Sequence, residues 1–185
     1  LQRGETVGVF QLESEGMRRT LAAVRPSNFG DIIALVSLYR PGPMDNIPMF
    51  GDRKNGRAPI EYPHPLLEEI LAETYGIFVY QEQVMRIANV LAGFSLAEAD
   101  VLRKAVGKKD EALIKQEVGR FVDRAMAQGH PRRLAEELGA QIETFGRYGF
   151  NKSHSVAYSV LSYQTAWLKA HYPAEFMAAL LSSEI

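Results

Sequence analysis

The chain holds 185 residues, 46% hydrophobic and 23% charged, with 21 Lys plus Arg against 22 Asp plus Glu and no cysteine. That size suits one domain or two small ones, and the balance of residues excludes a disordered tail, a collagen-like repeat and a charged linker. Without cysteine there is no disulfide scaffold, thiolate zinc site, iron–sulfur cluster or cysteine nucleophile, which fits a cytoplasmic setting.

Between proline and glycine marks most segments repeat their apolar residues at helical spacing, so the expected fold is mainly α, a multi-helix domain with one or two short β-strands. Val7 to Leu12 is the weaker strand candidate. Ser14 is placed to cap a helix running to about Val24, and Asp31 to Tyr39 reads as a second helix, stopped by Pro41-Gly42-Pro43. A loop through Pro48, Gly51, Asn55-Gly56 and Pro59 is expected next, then a short helix from about Pro65 to Ala72. Tyr75 to Tyr80, aromatic and β-branched, is the better strand candidate. Gln83 to Ala92 reads as a helix, and Ser95 with Glu98 three residues on is a capping-box signature for another that runs to Val106 and breaks at Gly107. Glu111 to Gln128 and Pro131 to Phe145 form a charged helical pair. Ser155 to His171 carries a single charge, Lys169, the mark of a helix buried within a larger body, and Ala174 to Leu181 makes a last short helix. The first residues form no signal peptide, and no apolar run approaches the roughly 18–20 residues that span a bilayer. A chain that begins at Leu1 and stops directly after an apolar segment reads as a piece of something longer.

The net charge of −1 conceals a segregation. Residues 61–100 hold seven acids and one base. Residues 101–109 then hold Arg103, Lys104, Lys108 and Lys109 with no acid, and residues 146–172 hold Arg147, Lys152 and Lys169 with no acid. In the first basic stretch, helical spacing gathers four cations at a helix C-terminal end, where Arg grips two phosphate oxygens through its fork and Lys acts as a mobile point charge. The same cations could equally complement the helix dipole. In the second, the glycines of Gly146-Arg147-Tyr148-Gly149 lead into a helix N-terminus whose free N–H groups attract anions, with Lys152 and His154 as further donors. The Walker spacing is missing, and His154 could instead be a satisfied core or capping histidine. Arg40 precedes a stiff Pro41-Gly42-Pro43 loop, and in Tyr80-Gln81-Glu82-Gln83 two amides suited either to base reading or to capping flank a carboxylate. His-Glu-x-x-His, Gly-x-Ser-x-Gly and Asp-x-Asp are all absent, so neither zinc hydrolysis, a serine elbow nor a two-metal carboxylate cluster is expected here.

Several motifs together carry a resemblance: Gly8-Val9-Phe10-Gln11-Leu12-Glu13-Ser14, Arg40-Pro41-Gly42-Pro43, Tyr80-Gln81-Glu82-Gln83-Val84-Met85, Leu102-Arg103-Lys104-Ala105, Gly107-Lys108-Lys109, Gly149-Phe150-Asn151-Lys152-Ser153-His154-Ser155 and Tyr163 through Met177. In these the chain resembles the bacterial DNA polymerase III alpha subunits, the C family of replicative DNA polymerases, nearly end to end. The resemblance implies most of a fingers domain, with residues 1–60 toward the palm, 61–109 facing the nucleotide, 110–145 a peripheral helical pair, and 146–185 a central buried helix and tail. It implies that Arg103, Lys104, Lys152 and His154 bind the triphosphate of an incoming deoxynucleoside triphosphate, and that Arg40, Gln81, Gln83, Lys108, Lys109 and Asn151 contact nucleotide or template. Many relatives have two arginines where this chain has Arg103-Lys104, so residue 104 keeps the charge without the planar fork. The family's magnesium ions would be held by aspartates outside this chain, leaving no catalytic or metal residue within it and the piece alone inactive. Expected partners are primed template DNA, deoxynucleoside triphosphates, the remaining domains and other replicase subunits, with no membrane. The alternative is a helical interaction module of the replication complex, docking through the acidic 61–100 stretch and the charged 111–145 pair.

Overall fold

A computed structural model describes residues 1–108, 110–146 and 148–183, without the side chains of residues 106 and 107. Several helices begin where the sequence places capping groups. Ser14 Oγ accepts the Met17 N–H at 3.3 Å to start α1 (Glu15–Val24), and Asn28 and Asp31 form a reciprocal capping box at α2 (Phe29–Leu38). After a 3-10 segment, Pro43–Asn46, comes α3 (Ile47–Lys54). The sequence predicted a loop there. Pro48 instead occupies the first turn of α3, where its missing N–H is no loss, and Gly51 allows close packing, since a Cβ there would lie 3.2 Å from Val24 Cγ2.

Two 3-10 segments, Pro65–Leu67 and Ala72–Thr74, flank the one-turn α4 (Glu68–Leu71). Then follow α5 (Gln81–Ala92), α6 (Leu96–Lys108), α7 (Glu111–Ala127), α8 (Arg132–Phe145), α9 (Lys152–His171) and α10 (Pro173–Ser183). The Ser95–Glu98 capping box forms as expected: Ser95 N–H donates to the Glu98 carboxylate at 2.8 Å and Glu98 N–H to Ser95 Oγ at 3.3 Å. The helix that follows continues through Gly107 and ends at Lys108.

The expectation of one or two β-strands is not met among the described residues, where Tyr80 and Phe150 make only an isolated parallel bridge. Tyr75 (φ 53°) and Gly76 (φ 79°) are left-handed and turn the chain, and Gly8 (φ 76°) and Gln11 (φ 62°) do the same in the other candidate. Local turns such as Val9 N–H to Thr6 C=O and Leu12 N–H to Val9 C=O satisfy backbone groups that a strand would have offered to a neighbour.

The chain divides into two compact units, Leu1–Ala58 with Ser153–Ile185, and Pro59–Lys152. In the first, Leu12, Leu21, Leu35, Leu38 and Phe50 are fully buried. A buried ion pair, Lys54 Nζ to Asp31 at 3.4 Å, sits at the start of α2, its carboxylate also accepting the Ser27 and Asn28 N–H groups. Within this unit α9 buries Ser155, Ser159 and Ser162, with Ser155 Oγ donating to Ile33 C=O at 2.7 Å, whereas Tyr163, Trp167 and Leu168 stay exposed. Low charge along α9 therefore does not translate into burial within this chain; small side chains mark its packed face instead. In the second unit α5, α6, α7 and α8 enclose a core that includes Leu67, Ile87, Phe94, Leu102, Phe121 and Ile142. No helix of the described residues is long and apolar enough to cross a membrane.

Candidate functional site

Within the second unit the segments leading into α5 and α9 run side by side. Phe150 N–H donates to Val79 C=O at 3.3 Å and Gln81 N–H to Phe150 C=O at 2.9 Å. Gly149 permits the approach: a Cβ there would meet the Phe145 ring at 2.7 Å and Gln81 Cγ at 3.2 Å. The chain entering α5 at Gln81 is thus fastened to residues 149–152, and the leading N–H groups are satisfied within the junction, that of Gln81 by Phe150 C=O and that of Lys152 by the Glu82 carboxylate.

The side chains of Tyr80-Gln81-Glu82-Gln83 build this junction. Gln83 is buried, and its amide oxygen accepts the Val79 and Tyr80 N–H groups at 2.9 Å each while its NH2 donates to Ile70 C=O at 3.3 Å and Thr74 Oγ1 at 2.8 Å. Gln81, also buried, donates to Gly149 C=O at 3.4 Å. The Glu82 carboxylate takes the Lys152 N–H on both oxygens, at 3.1 and 3.2 Å. Lys152 Nζ reaches back to Glu73 at 2.6 Å and stands 5.3 Å from the centre of the buried Tyr80 ring. Asn151 is half-buried just ahead of α9, and His154 lies exposed on the first turn of that helix, its ring 4.3 Å from that of Tyr158.

The second group of cations lies on α6. Asp100 bridges two of them, accepting Arg103 Nε on one oxygen and Lys104 Nζ on the other, both at 2.8 Å. Those bonds, first from Lys104 and then from Arg103, hold the Asp100 carboxyl below its ordinary pKa. Lys108 is exposed in the last turn, and Lys109 falls outside the described residues. Arg40, in the first unit, is half-buried and donates to Ser37 C=O at 2.9 Å; burial lowers its pKa, yet a guanidinium remains charged at any working pH.

Sequence reasoning singled out the cations and missed the acids that hold three of them, Asp100 on Arg103 and Lys104 and Glu73 on Lys152, together with the Glu82 cap on α9. The signal was present in the acidic 61–100 stretch lying directly before a basic one. The charges of the helical pair have a different use: Arg120 and Arg124 of α7 reach Glu98 at 3.1 and 2.7 Å, and both lie over the Phe94 ring. The apolar faces of α7 and α8 belong to the unit's own core. Among the described residues no group of three or more His, Asp or Glu side chains could hold a metal ion.

Residues 1–129 match the family described as "Bacterial DNA polymerase III alpha subunit finger domain". The chain is 53% identical over 185 residues to the DNA polymerase III subunit alpha of Bacillus subtilis (strain 168), covering 100% of this chain and 17% of that protein. It is 57% identical over 189 residues to the protein of the same name from Thermus aquaticus, and 51% over 186 residues to that from Aquifex aeolicus (strain VF5), in each case 100% of this chain and 16% of the relative. The chain therefore spans about a sixth of the length of these curated relatives. With a family match over more than two thirds of its residues and identity above one half to these relatives, the chain belongs to the finger-domain family of the bacterial DNA polymerase III alpha subunit.

Proposed function

We propose that this chain is the nucleotide-positioning fingers of a replicative DNA-directed DNA polymerase, acting in the cytoplasm on primed template DNA and deoxynucleoside triphosphates, with the other domains and replicase subunits as partners. The observation that carries this reading is the half-exposed Lys152 ammonium, held at the fastened junction of residues 79–81 with 149–152 and over the Tyr80 ring, a fixed cation suited to a phosphate oxygen. Arg103, Lys104, Lys152 and His154 neutralise the triphosphate as charge moves onto the leaving pyrophosphate. Arg40, Lys108, Lys109 and Asn151 make further nucleotide or template contacts, and Gln81 and Gln83 serve those contacts by holding the α5–α9 junction in register. The family implies magnesium. The described carboxylates that line the cations here are already paired to them and form no metal cluster, so no step of the reaction is assigned to a metal held by this chain.

Arg103→Ala in a full-length alpha subunit carrying this chain tests the reading. The expected result is a raised KM for nucleotide together with a lowered kcat, since the guanidinium would serve the transition state more than the ground state. Unchanged steady-state kinetics would remove Arg103 from the site. Affinity for primed DNA and nucleotide is further expected to fall steeply as salt rises, because phosphate contacts release counterions.

A further inference from the structure

We infer that Glu73 is a built-in stand-in for a phosphate: its carboxylate holds the Lys152 ammonium, and an incoming triphosphate must displace it. The inference rests on the reading that Lys152 binds the triphosphate, and adds a residue that sets how readily it does so. Glu73 and Lys152 are 79 positions apart, and their 2.6 Å pair is 45% and 35% exposed on the two side chains. A pair so open to solvent is easily exchanged for another anion. Its setting favours release without loss of position. Glu73 sits in the 3-10 segment Ala72–Thr74, whose backbone is fixed by the buried Thr74, which donates to Ile77 C=O at 2.6 Å and accepts from Gln83. Only the Glu73 side chain has to swing away. Lys152 keeps its backbone N–H on Glu82 and its ammonium over the Tyr80 ring, so it stays aimed after the carboxylate leaves.

The consequence is competition within the chain. The apparent affinity of any ligand for Lys152 is reduced by the fraction of ammonium that Glu73 holds, and a ligand with several negative charges overcomes that hold better than a single phosphate. Glu73 thus acts as a positioning and selectivity residue and touches no reacting atom.

The test measures the Kd of the correct deoxynucleoside triphosphate on a dideoxy-terminated primed template bound to the full-length subunit, for the unaltered protein, Glu73→Gln, Lys152→Met and the double variant. Expected are a two- to five-fold tighter Kd (~) for Glu73→Gln, the range that an exposed ion pair allows, a weaker Kd for Lys152→Met, and no effect of Glu73→Gln once Lys152 is gone. A Glu73→Gln protein that binds as before or more weakly, while Lys152→Met still weakens binding, overturns the stand-in role and leaves the triphosphate reading intact. Equal tightening in both backgrounds also overturns it, since Glu73 would then merely repel the ligand at a distance. A Lys152→Met protein with unaltered Kd removes Lys152 from the site and the inference with it.

Discussion

At the scale of single residues, a side chain that looks suited to a ligand can be fully engaged by its own fold. Gln83 has two amide hydrogens and two carbonyl lone pairs, and all four meet partners inside the second unit. Gln83→Ala would strand the Val79 and Tyr80 N–H groups in the interior and is expected to cost on the order of 2–4 kcal/mol of stability, as for buried groups that lose their bonds. Faster hydrogen exchange at residues 79–81 in the altered protein would report it. Asp100 and Glu98 make a pH prediction. Asp100 is held below its ordinary pKa chiefly by the Lys104 hydrogen bond, and Glu98 chiefly by the Ser95 backbone N–H. Carboxyls whose folded pKa lies below the unfolded value add stability that is complete above the ordinary carboxylate range and is lost as pH falls through the depressed folded value. The second unit is therefore expected to hold its helicity from neutral pH down to about 5 and to weaken below about 4. An acid titration followed by circular dichroism checks this, with Asp100→Asn shrinking the acid loss.

At the scale of elements, two helical glycines of the charged pair make opposite demands. A Cβ on Gly139 of α8 would lie 2.9 Å from Val122 Cγ2 and 3.1 Å from Val118 Cγ1 of α7, whereas one on Gly119 of α7 meets nothing within 4 Å. Gly139→Ala is expected to destabilise the α7–α8 packing by about 1–3 kcal/mol through overpacking. Gly119→Ala is expected to stabilise by about 0.5–1 kcal/mol, because the exposed helix interior favours alanine. Amide hydrogen exchange along α7 and α8 should move in opposite directions for the two variants. The helices themselves were legible from caps and apolar spacing: Ser14, the Ser95–Glu98 box and Gly93 all fall where the structure uses them. α3 was not, because Pro48 and Gly51 are loop residues by local preference; the first turn of the helix accommodates Pro48, and close packing against Val24 makes the small Gly51 an advantage.

At the scale of the whole molecule, the chain spans about a sixth of its relatives, and its described residues hold no metal cluster. The chain by itself is expected to give no nucleotide incorporation on a primed template with magnesium, in a primer-extension assay where a full-length subunit carrying it does. Any turnover by the chain alone would contradict a purely positioning role.

Residue types and their spacing were enough to determine a mainly helical chain, two clusters of cations, and the family to which both belong. They determined these because helical periodicity, capping and charge are properties of neighbours along the backbone. That the aromatic run of residues 75–80 makes an isolated bridge to Phe150 and no strand among the described residues, that Gly149 lets Phe150 fasten to Val79, and that Lys152 pairs with Glu73 across 79 residues were decided only by tertiary structure. Each depends on a group distant in sequence, and whether a cation faces solvent, a carboxylate or a ligand is settled by what the folded chain brings within a hydrogen bond of it.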